Sequence, residues 1–596
     1  MTRVESTLGF VPSLAVDRSV WIEPAAIQAG AGLVETLGDP LLARILAARG
    51  IDDPATARRF TQPERLPKSD PRLFPGVSAA IERLTIAADR HETVLVWGDF
   101  DADGQTATAL MVDALRRAEV DAHWHLPDRK RESHGLGIDP VDRTRSIGAT
   151  LVITCDCGAL DLRPIAALGA AGIDTIVTDH HAIPARVLER AHPARALVSP
   201  SLLPDHHPAR HLAGVGTAYA VAAPFLAARG RSASDLVDLV ALGTIADVAQ
   251  LVDENRRLVA TGLPALNRGS RPGIGALLSN SRRGSIDPLD SDTAAWYLAP
   301  RLNALGRLGD ATPGVRLLLE DDPFTLNALA AQAEAANQRR QALCDEMVGE
   351  IERALETGDP PSDDDDERPI VLVADSAIVV ARRGWHVGII GLAAQRIAQS
   401  RLRPAVIVAL DGERGRASMR APEWCDLMVA LAEVGEDPAI GFVGGGHKAA
   451  AGGSMAAGMV MRFAERFDTA ARAQRPFAIQ RIARPDVEIG LTDVTLEAAR
   501  SVRRLAPFGR GNPEPLFLLR NVAIRESRRL GGDGRHLALT LASIGSTRTT
   551  SAMYWDGARN GDLPDRVDLL GTLERHEYNG SVRARLQIRE ARPATE

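Results

Sequence analysis

Three stretches of the first 200 residues place acids or histidines directly after a short apolar run rich in β-branched residues. The runs are VLVW, LVITC and TIVT, and the side chains that follow them are Asp99, Asp101, Asp103, Asp156, Asp179, His180 and His181. Carboxylates gathered without compensation would repel one another. Carboxylate oxygens together with imidazole nitrogens suit Mn²⁺ or Mg²⁺. These residue types therefore predict a divalent-cation centre, provided that the chain brings them together.

A further acid, Asp247, stands near the end of the otherwise apolar segment VALGTIADV. Such an acid must be exposed or bound to a ligand. The end of an apolar helix at a solvated loop remains an alternative, but beside the other acids we expect Asp247 to bind metal. The Asp99 segment also resembles a calcium loop, yet the twelfth position is Leu110 instead of the required glutamate.

The elements that must position these side chains form an alternating pattern. Strand-like runs are TVLVWGD, DAHWHLP, ATLVITCD and DTIVTDHH, and helix-like stretches such as ATALMVDALRRAE lie between them. This alternation predicts a parallel α/β sheet. In open sheets of this kind, ligands bind outside the carboxyl ends of the strands, where the acids stand.

The rest of the chain predicts further domains. FTLNALAAQAEAANQRRQALCDEMVGEIERALE has the propensity of one long helix, and GDPPSDDDDERP reads as an exposed loop. A second α/β segment begins at PIVLVADS, and short alternating stretches past about residue 478 suggest a small all-β barrel. The predicted division is an N-terminal extension packed on the next domain (1–75), a catalytic domain (76–320), a connecting helix and acidic linker (321–368), a smaller α/β domain (369–477) and the barrel (478–596).

Composition sets weaker limits. A chain of 596 residues is too long for one core, and its net charge of −7 neither predicts nor excludes binding of nucleic acid. No apolar run is long enough to cross a membrane, and the first residues do not resemble a secretory signal, so we expect a cytoplasmic protein. The spacing of the four cysteines fits neither a disulfide framework nor a zinc site. Cys155 and Cys157 are expected to be small buried residues.

The order of the motifs resembles the DHH phosphoesterase superfamily, and within it the RecJ family of single-strand-specific exonucleases. The motifs are GDFDADG, TCDCG, TDHH, LGTIADV, LAPRLNALGRLGD, GWHVGIIGLAAQRI, GRASMRA, GFVGGGHKAAAGGS and LAPFGRGNPEPLF. They cover roughly residues 80 to 590. The resemblance implies a DHH domain, a DHHA1 domain, and a barrel of the oligonucleotide-binding (OB) type.

The resemblance also implies two cations, Mn²⁺ or Mg²⁺, bridged by Asp156. Asp103, His180 and Asp247 would complete the shell of one cation, and Asp101 would bind the other with Asp99 nearby. His181 would contact the scissile phosphate beside Asp179, so that no protein nucleophile is needed. His134 stands where the family pattern leads us to expect an aromatic or glycine-rich variant, and no proposed ligand is missing.

The same resemblance implies a site for a terminal 5′-phosphate, because arginine forks and glycine-rich backbone suit phosphate oxygens. The residues expected to bind substrate are Arg129, Arg301, Asn303, Arg307, Ser418, Arg420, Gly446 and His447. Exposed arginines in solvated turns are the alternative for each of the arginines. Trp385 and His386 could stack on nucleotides, although Trp385 is as readily a core residue. A row of barrel arginines, Arg503, Arg504, Arg510, Arg525, Arg528, Arg529 and Arg535, is a candidate track for the DNA backbone.

The implied activity is 5′→3′ hydrolysis of single-stranded DNA to mononucleotides, in recombination and repair. A phosphodiesterase for oligoribonucleotides or cyclic dinucleotides is the alternative, but such relatives generally lack the C-terminal barrel. A non-catalytic DNA-binding or scaffold protein predicts lost ligands, whereas the set here is complete. We expect a monomer whose partner is single-stranded DNA, with a single-strand-binding protein and a helicase as companions and no membrane.

Overall fold

The computed structural model describes residues 19–594, except for 130, 131, 133, 138, 270, 282–287, 358–369, 374, 533 and 579. The predicted acidic linker falls largely outside these residues. The chain forms two compact units. Among the described residues, one comprises 21–334 and 484–594, and the other comprises 335–483 with residues 19 and 20. In the described part of the chain, every helix is too short or too polar to cross a lipid bilayer.

The chain begins with a short strand and three helices. They are β1 (Val20–Trp21), α1 (Ala31–Leu37), α2 (Pro40–Ala48) and α3 (Pro54–Phe60). Asp39 and Asp53 cap α2 and α3, and each of these two helices has proline at its first position. Apolar residues of α1–α3, among them Leu42 and Ile45, share one core with the C-terminal barrel. α1 and α2 thus pack against the barrel, whereas the end of α3 also contacts the domain that follows the extension, where Arg256 lies 4.0 Å from the centre of the Phe60 ring.

The parallel sheet that was predicted from the alternating pattern follows, and it has five strands. Its strands are β2 (Thr93–Trp97), β3 (Asp121–His125), β4 (Leu151–Cys155), β5 (Asp174–Thr178) and β6 (Ala196–Val198), in the order β3-β2-β4-β5-β6. The four predicted strands are confirmed. β4 is buried along its whole length, as expected for the centre of a sheet covered on both faces.

Helices cover this sheet and extend beyond it. They are α4 (Val77–Asp89), α5 (Ala102–Arg117), α6 (Pro140–Ser146), α7 (Leu162–Ala170), α8 (Ala185–Leu188), α9 (Gly214–Ala228), α10 (Val237–Ala246), α11 (Asp253–Asn267), α12 (Pro272–Asn280), α13 (Ser291–Thr293), a π-helical turn (Ala294–Leu298), α14 (Ala299–Leu308) and α15 (Thr312–Leu319). α5 and α10 are buried for most of their length and lie in the core.

The predicted long helix is α16 (Pro323–Thr357), and the boundary between the two units falls within it. The second unit contains a six-stranded sheet in the order β11-β12-β10-β9-β8-β7. Its elements are β7 (Ile370–Val373), β8 (Ile378–Arg383), α17 (Ile390–Arg401), β9 (Ala405–Asp411), β10 (Arg414–Arg420), α18 (Leu427–Gly435), β11 (Val443–His447), β12 (Ala450–Ala456) and α19 (Val460–Gln474). β8 and β9 are parallel, and the other pairs are antiparallel.

The C-terminal region is the predicted all-β barrel. Its elements are β13 (Ile482–Ala483), β14 (Val487–Glu488), α20 (Leu496–Arg503), β15 (Phe517–Leu530), β16 (His536–Ala542), β17 (Thr549–Tyr554), β18 (Arg566–Tyr578) and β19 (Ser581–Pro593). The strand order is β14-β15-β16-β17-β19-β18, and the pairing of β15 with β18 closes the barrel. Together with the two α/β regions, it confirms the predicted fold class.

Candidate metal centre and nucleic-acid interface

The carboxyl ends of three neighbouring strands bring the predicted acids to one edge of the parallel sheet. β2 pairs with β4, and β4 pairs with β5. Asp99, Asp156 and Asp179 follow these strands within one or two residues, and all three are at most 3% exposed. Parallel strands thus concentrate charge at one place in the fold.

The first turn of α5 supplies two more carboxylates. Asp101 caps the helix and accepts a hydrogen bond from the Gly104 N–H at 3.0 Å. The Asp103 carboxylate accepts hydrogen bonds from the N–H groups of Gly214 (2.7 Å) and Val215 (2.9 Å), which open α9. The amino-terminal end of α9 therefore fixes Asp103 and favours its negative charge.

Asp156 lies at the centre of the group. It adopts a left-handed backbone conformation (φ 64°), which is unusual for a residue other than glycine. A Cβ at Gly214 would lie 2.4 Å from Asp156 Oδ1, so only glycine fits against this carboxylate. Oδ1 is buried and accepts no hydrogen bond among the described residues, although His180 Nε2 is 3.1 Å away.

Asp247 follows the last residue of α10 and completes the cluster. The cluster contains three groups of donor atoms, and within each group all atoms lie within 4.8 Å of one another. The groups are Asp99–Asp101–Asp156, Asp103–His180–Asp247 and Asp156–His180–His181. We call the set Asp99, Asp101, Asp103, Asp156, His180 and Asp247 the acidic rim.

Electrostatics show how unfavourable the acidic rim is without a cation. Burial, followed by repulsion from Asp247, raises the pKa of Asp103 to about 7. Burial and repulsion from Asp103 raise the pKa of Asp156 well above its usual value. Two divalent cations would offset this repulsion and use the unpaired oxygen of Asp156. The donor set of carboxylates and imidazole therefore fits Mn²⁺ or Mg²⁺.

Two histidines lie beside the rim, each paired with an acid. Asp179 Oδ1 lies 2.7 Å from His181 Nδ1, and its other oxygen accepts from the Ala159 N–H at 2.9 Å. His134 Nδ1 lies 3.1 Å from Asp99 Oδ1. Burial lowers the pKa of His181, but the bond to Asp179 outweighs it and raises the pKa to about 9. The charge of Asp99 likewise raises the pKa of His134 to about 9.

From the sequence, His134 was only a departure from a pattern, and its place at the site was missed. Gly135 next to it has φ +88°, and its Cβ would lie 2.4 Å from Asp161 Oδ2. The same Asp161 oxygen accepts from the Leu136 N–H at 2.8 Å. The loop is therefore fixed by Asp161. The sequence signal was the pair of glycines at 135 and 137, which favours a tight turn.

Cys155 and Cys157 flank Asp156 and are fully buried. Burial raises the pKa of both thiols, that of Cys155 to about 12. Neither belongs to a donor group among the described residues. They are small buried residues, as expected from their spacing.

The predicted substrate-binding residues near the rim have different surroundings. Arg129 is half-buried, and its guanidinium carbon lies 4.8 Å from the centre of the Phe100 ring. Arg301 is only 6% exposed, and its Nε lies 2.6 Å from Glu334 Oε2. Asn303 Oδ1 accepts from the Ala102 N–H at 3.0 Å, beside Asp101. Arg307 on the same helix is half-buried.

In the second unit, three predicted residues share one face of the sheet. In antiparallel pairs, residues directly opposite each other project from the same face. Arg420 and His447 both lie opposite Ala450, and Ser418 and Gly445 both lie opposite Gly452. We call the set Ser418, Arg420, Gly445, His447 and Gly452 the glycine-rich face.

Gly391, at the start of α17, adjoins this face, because a Cβ there would lie 3.0 Å from Ser418 Oγ and 3.7 Å from an Arg420 nitrogen. Gly446 belongs to the opposite face, where a Cβ would lie 2.3 Å from the Ala450 carbonyl oxygen. Packing between the strands thus requires glycine at 446. Gly445 is the residue with open space above it, and it was not among the residues predicted from the sequence.

Two further candidates were Trp385 and His386. Trp385 is 7% exposed, and its indole N–H donates to Glu350 at 2.9 Å, so it is a core residue of its unit. His386 Nδ1 accepts from the Gly388 N–H at 3.1 Å.

Four of the seven arginines in the candidate track form ion pairs within the barrel's own unit, one of them being Arg504 with Asp39 at 3.8 Å. Arg503 pairs with Asp290 (2.7 Å), Arg529 with Asp562 (3.2 Å), and Arg535 with Asp556 (3.2 Å). Arg504 donates to the Leu37 carbonyl at 3.1 Å. No ion pair is found within the described residues for Arg510, Arg525 or Arg528.

Comparison with protein families identifies three regions. Residues 93–244 match the DHH family N-terminal domain, residues 374–473 match the DHHA1 domain, and residues 485–590 match the RecJ OB domain. Each match lies within one of the predicted domain ranges. The acidic rim falls in and just after the first region, and the glycine-rich face falls in the second.

Curated relatives cover most of the chain. It is 31% identical over 560 residues to the single-stranded-DNA-specific exonuclease RecJ of Bacillus subtilis, which is 93% of this chain and 68% of the relative. It is 32% identical over 574 residues to the protein of the same name from Dickeya dadantii, covering 92% and 95% of the two chains. Among solved structures, it resembles the crystal structure of RecJ with Mn²⁺ from Thermus thermophilus. That match has a TM-score of 0.76 and 28% identity, and covers 96% of this chain and 79% of the other.

Proposed function

The chain belongs to the RecJ family of single-stranded-DNA-specific exonucleases, and from this premise we propose that it removes mononucleotides from the 5′ end of single-stranded DNA by metal-dependent phosphodiester hydrolysis. The convergence of three donor groups around the buried Asp156 is the observation that carries the proposal. A buried carboxylate at a strand end, whose Oδ1 accepts no hydrogen bond among the described residues and lies 3.1 Å from His180 Nε2, suits a cation.

Asp156 would be shared by two cations. Asp103, His180 and Asp247 would complete one shell, and Asp99 and Asp101 would serve the other. When bound, such cations lower the pKa of a water molecule and stabilise the leaving 3′-oxygen. The protein's contribution is to hold the ligands in place. The amino-terminal end of α9 fixes Asp103, and Asn303 fixes the turn that carries Asp101.

His181 would contact the scissile phosphate. Asp179 engages its Nδ1, which orients the ring and leaves Nε2 as a donor. Nε2 can therefore donate a hydrogen bond to a phosphate oxygen. Asp179 itself is held by two backbone N–H groups, those of Ala159 and His181. We therefore assign Asp179 to positioning and His181 to substrate contact.

The glycine-rich face would bind the terminal 5′-phosphate. Arg420 and His447 offer cationic or polar donors in one row, Ser418 offers a hydroxyl in the next, and Gly445 leaves the backbone open. Near the metals, Arg129 and Arg307 are half-buried and would contact the DNA backbone. Arg301 and Asn303 are already engaged by protein partners, and we assign them to supporting the acidic rim.

The barrel favours this activity over the alternative of an oligoribonucleotide or cyclic-dinucleotide phosphodiesterase. The decisive experiment uses single strands labelled at the 5′ or 3′ end, and a blunt duplex, each incubated with Mn²⁺. We expect immediate release of the 5′ label as a mononucleotide, and little attack on the duplex. Initial release of the 3′ label, or equal hydrolysis of the duplex, would contradict the proposal.

Membership of this family also supports proposals about the protein's cellular role, its oligomeric state and its partners. We propose that the protein is a cytoplasmic monomer that acts in recombination and repair. A single-strand-binding protein and a helicase would supply and expose its substrate. We also propose the five-part division of the chain, with bounds at 75, 320, 368 and 477. Sedimentation and limited proteolysis would test the monomer and these bounds.

A further inference from the structure

One loop of the C-terminal region reaches the segment that follows Asp247. This loop, Leu505–Asn512, is rigid because its own groups close it. The Asn512 amide donates to the carbonyls of Leu505 (2.9 Å) and Pro507 (2.8 Å). Gly509 and Asn512 exchange backbone hydrogen bonds of 3.0 and 3.1 Å. We call it the Arg510 loop, after the residue at its tip.

The Arg510 loop is locked onto the metal-bearing domain. The Leu251 N–H, four residues after Asp247, donates to the Arg510 carbonyl at 2.6 Å. A Cβ at Gly509 would lie 2.8 Å from Leu251 Cδ1, and one at Gly511 would lie 3.0 Å from Val252 Cγ1. Gly511 has φ +84°, a backbone conformation that favours glycine, and the small size of Gly509 leaves room for the Leu251 side chain. One backbone hydrogen bond and packing against the Leu251 and Val252 side chains thus hold the loop close to the segment that follows Asp247.

The Arg510 side chain itself is unengaged. It is exposed, and it forms no ion pair within the described residues, whereas Arg503 on the preceding helix is held by Asp290. The Arg510 guanidinium interacts electrostatically with Asp247. Because the backbone of the loop is already fixed, binding an anion would have to order only the Arg510 side chain.

We propose that Arg510 binds the phosphate immediately 3′ of the scissile phosphate. This inference rests on the proposed function. The metals would take the scissile phosphate. The strand that continues past the metals then needs its own cation. Arg510 is provided by the barrel, which lies in the same unit as the rim. Its planar fork suits two oxygens of one phosphate.

The test combines an R510A variant with a strand whose second internucleotide linkage is a neutral methylphosphonate. Only the release of the first nucleotide is measured. This release requires cleavage of the first linkage, and the modified second linkage stays intact. Loss of one charged phosphate contact should lower kcat/KM about tenfold. Relative to wild type on the normal strand, we expect kcat/KM to fall by the same factor in three combinations. These are R510A on the normal strand, wild type on the modified strand, and R510A on the modified strand. For R510A, the slope of log kcat/KM against log salt concentration should also become less negative by about 0.7.

Arg548 offers a matched control, since it is an exposed arginine of the same barrel with no ion pair among the described residues. R548A should respond to the methylphosphonate as wild type does. Mn²⁺ affinity by calorimetry should be unchanged in R510A. The assignment would be overturned if the losses caused by R510A and by the methylphosphonate multiplied when combined. It would also be overturned if R510A showed no loss of kcat/KM, or if R510A bound Mn²⁺ more weakly than wild type. Failure of the wild type to release the first 5′ nucleotide from the normal strand would instead overturn the proposed function.

Discussion

The acidic rim and the glycine-rich face would both bind phosphate, but their chemistry is opposite. The rim consists of buried carboxylates whose mutual repulsion raises the pKa of Asp103 and Asp156. The glycine-rich face is accessible, and presents Arg420 and His447 around open glycine backbone. A face of this kind can bind an anion directly, whereas the rim can do so only through cations. Binding and chemistry are therefore separable by mutation.

The largest effect is expected from neutralising the centre of the rim. D156N keeps the shape of the side chain, but removes the charge that two cations would share. Changes outside the metal shell already cost about 10- to 100-fold, so we expect turnover to fall by more than about 100-fold. The metal-free variant should melt no lower than wild type, because repulsion is relieved. A large loss of metal-free stability would show that Asp156 is structural.

The same contrast predicts how the metal-free protein responds to pH. Asp103, with a folded pKa of about 7, destabilises the fold as pH rises from about 4, its unfolded value, to 7. His134 and His181 contribute stability that is complete below about pH 6.5 and is lost as pH rises through about 9. Both contributions therefore fall as pH rises, and the stability of the metal-free protein should fall with them.

Urea unfolding in EDTA at pH 5.5, 7 and 8.5 measures how steeply the free energy of unfolding changes with pH. Saturating Mn²⁺ should remove most of it, because the metal binds the deprotonated ligands. D156N should show a shallower slope than wild type in EDTA. A stability that rises from pH 5.5 to 8.5 in EDTA would contradict the electrostatic picture of the rim.

On the glycine-rich face, R420A should leave turnover of saturating substrate nearly unchanged, and should remove the preference for a 5′-phosphate. Hydrogen bonds to charged groups contribute about 1.5–3 kcal/mol, which corresponds to about 10- to 100-fold in kcat/KM. Arg416 lies on the same strand and the same face, four residues away, and is exposed. R416A is therefore the matched control, and an equal loss in both variants would point to general charge instead of a defined site.

The sequence predicted the rim better than its surroundings, and the reason is physical. β-branched runs specify strands locally, and parallel pairing then brings their ends together, so Asp99, Asp156 and Asp179 could be grouped without coordinates. His134 could not, since its position depends on Asp161 and on the turn at Gly135. The burial of Arg301 depends on Glu334, and the shared core of α1–α3 with the barrel joins segments more than 400 residues apart. Such long-range contacts leave no local pattern.

The smallest effect is expected from adding a methyl group at Gly445 or at Gly446 of β11. These two substitutions distinguish a glycine needed for binding from one needed for packing. A methyl group added at Gly445 would have no atom within 4 Å, so G445A should fold at no cost in stability. The added methyl stands where the phosphate would approach, and we expect KM for a 5′-phosphorylated strand to rise by no more than about tenfold. At Gly446 the methyl would lie 2.3 Å from the Ala450 carbonyl oxygen, so G446A should instead cost about 1–3 kcal/mol of stability. Thermal unfolding and initial rates on 5′-phosphate and 5′-hydroxyl strands distinguish the two. If G445A destabilises the protein while its KM is unchanged, the face serves packing, and the terminal phosphate must bind elsewhere.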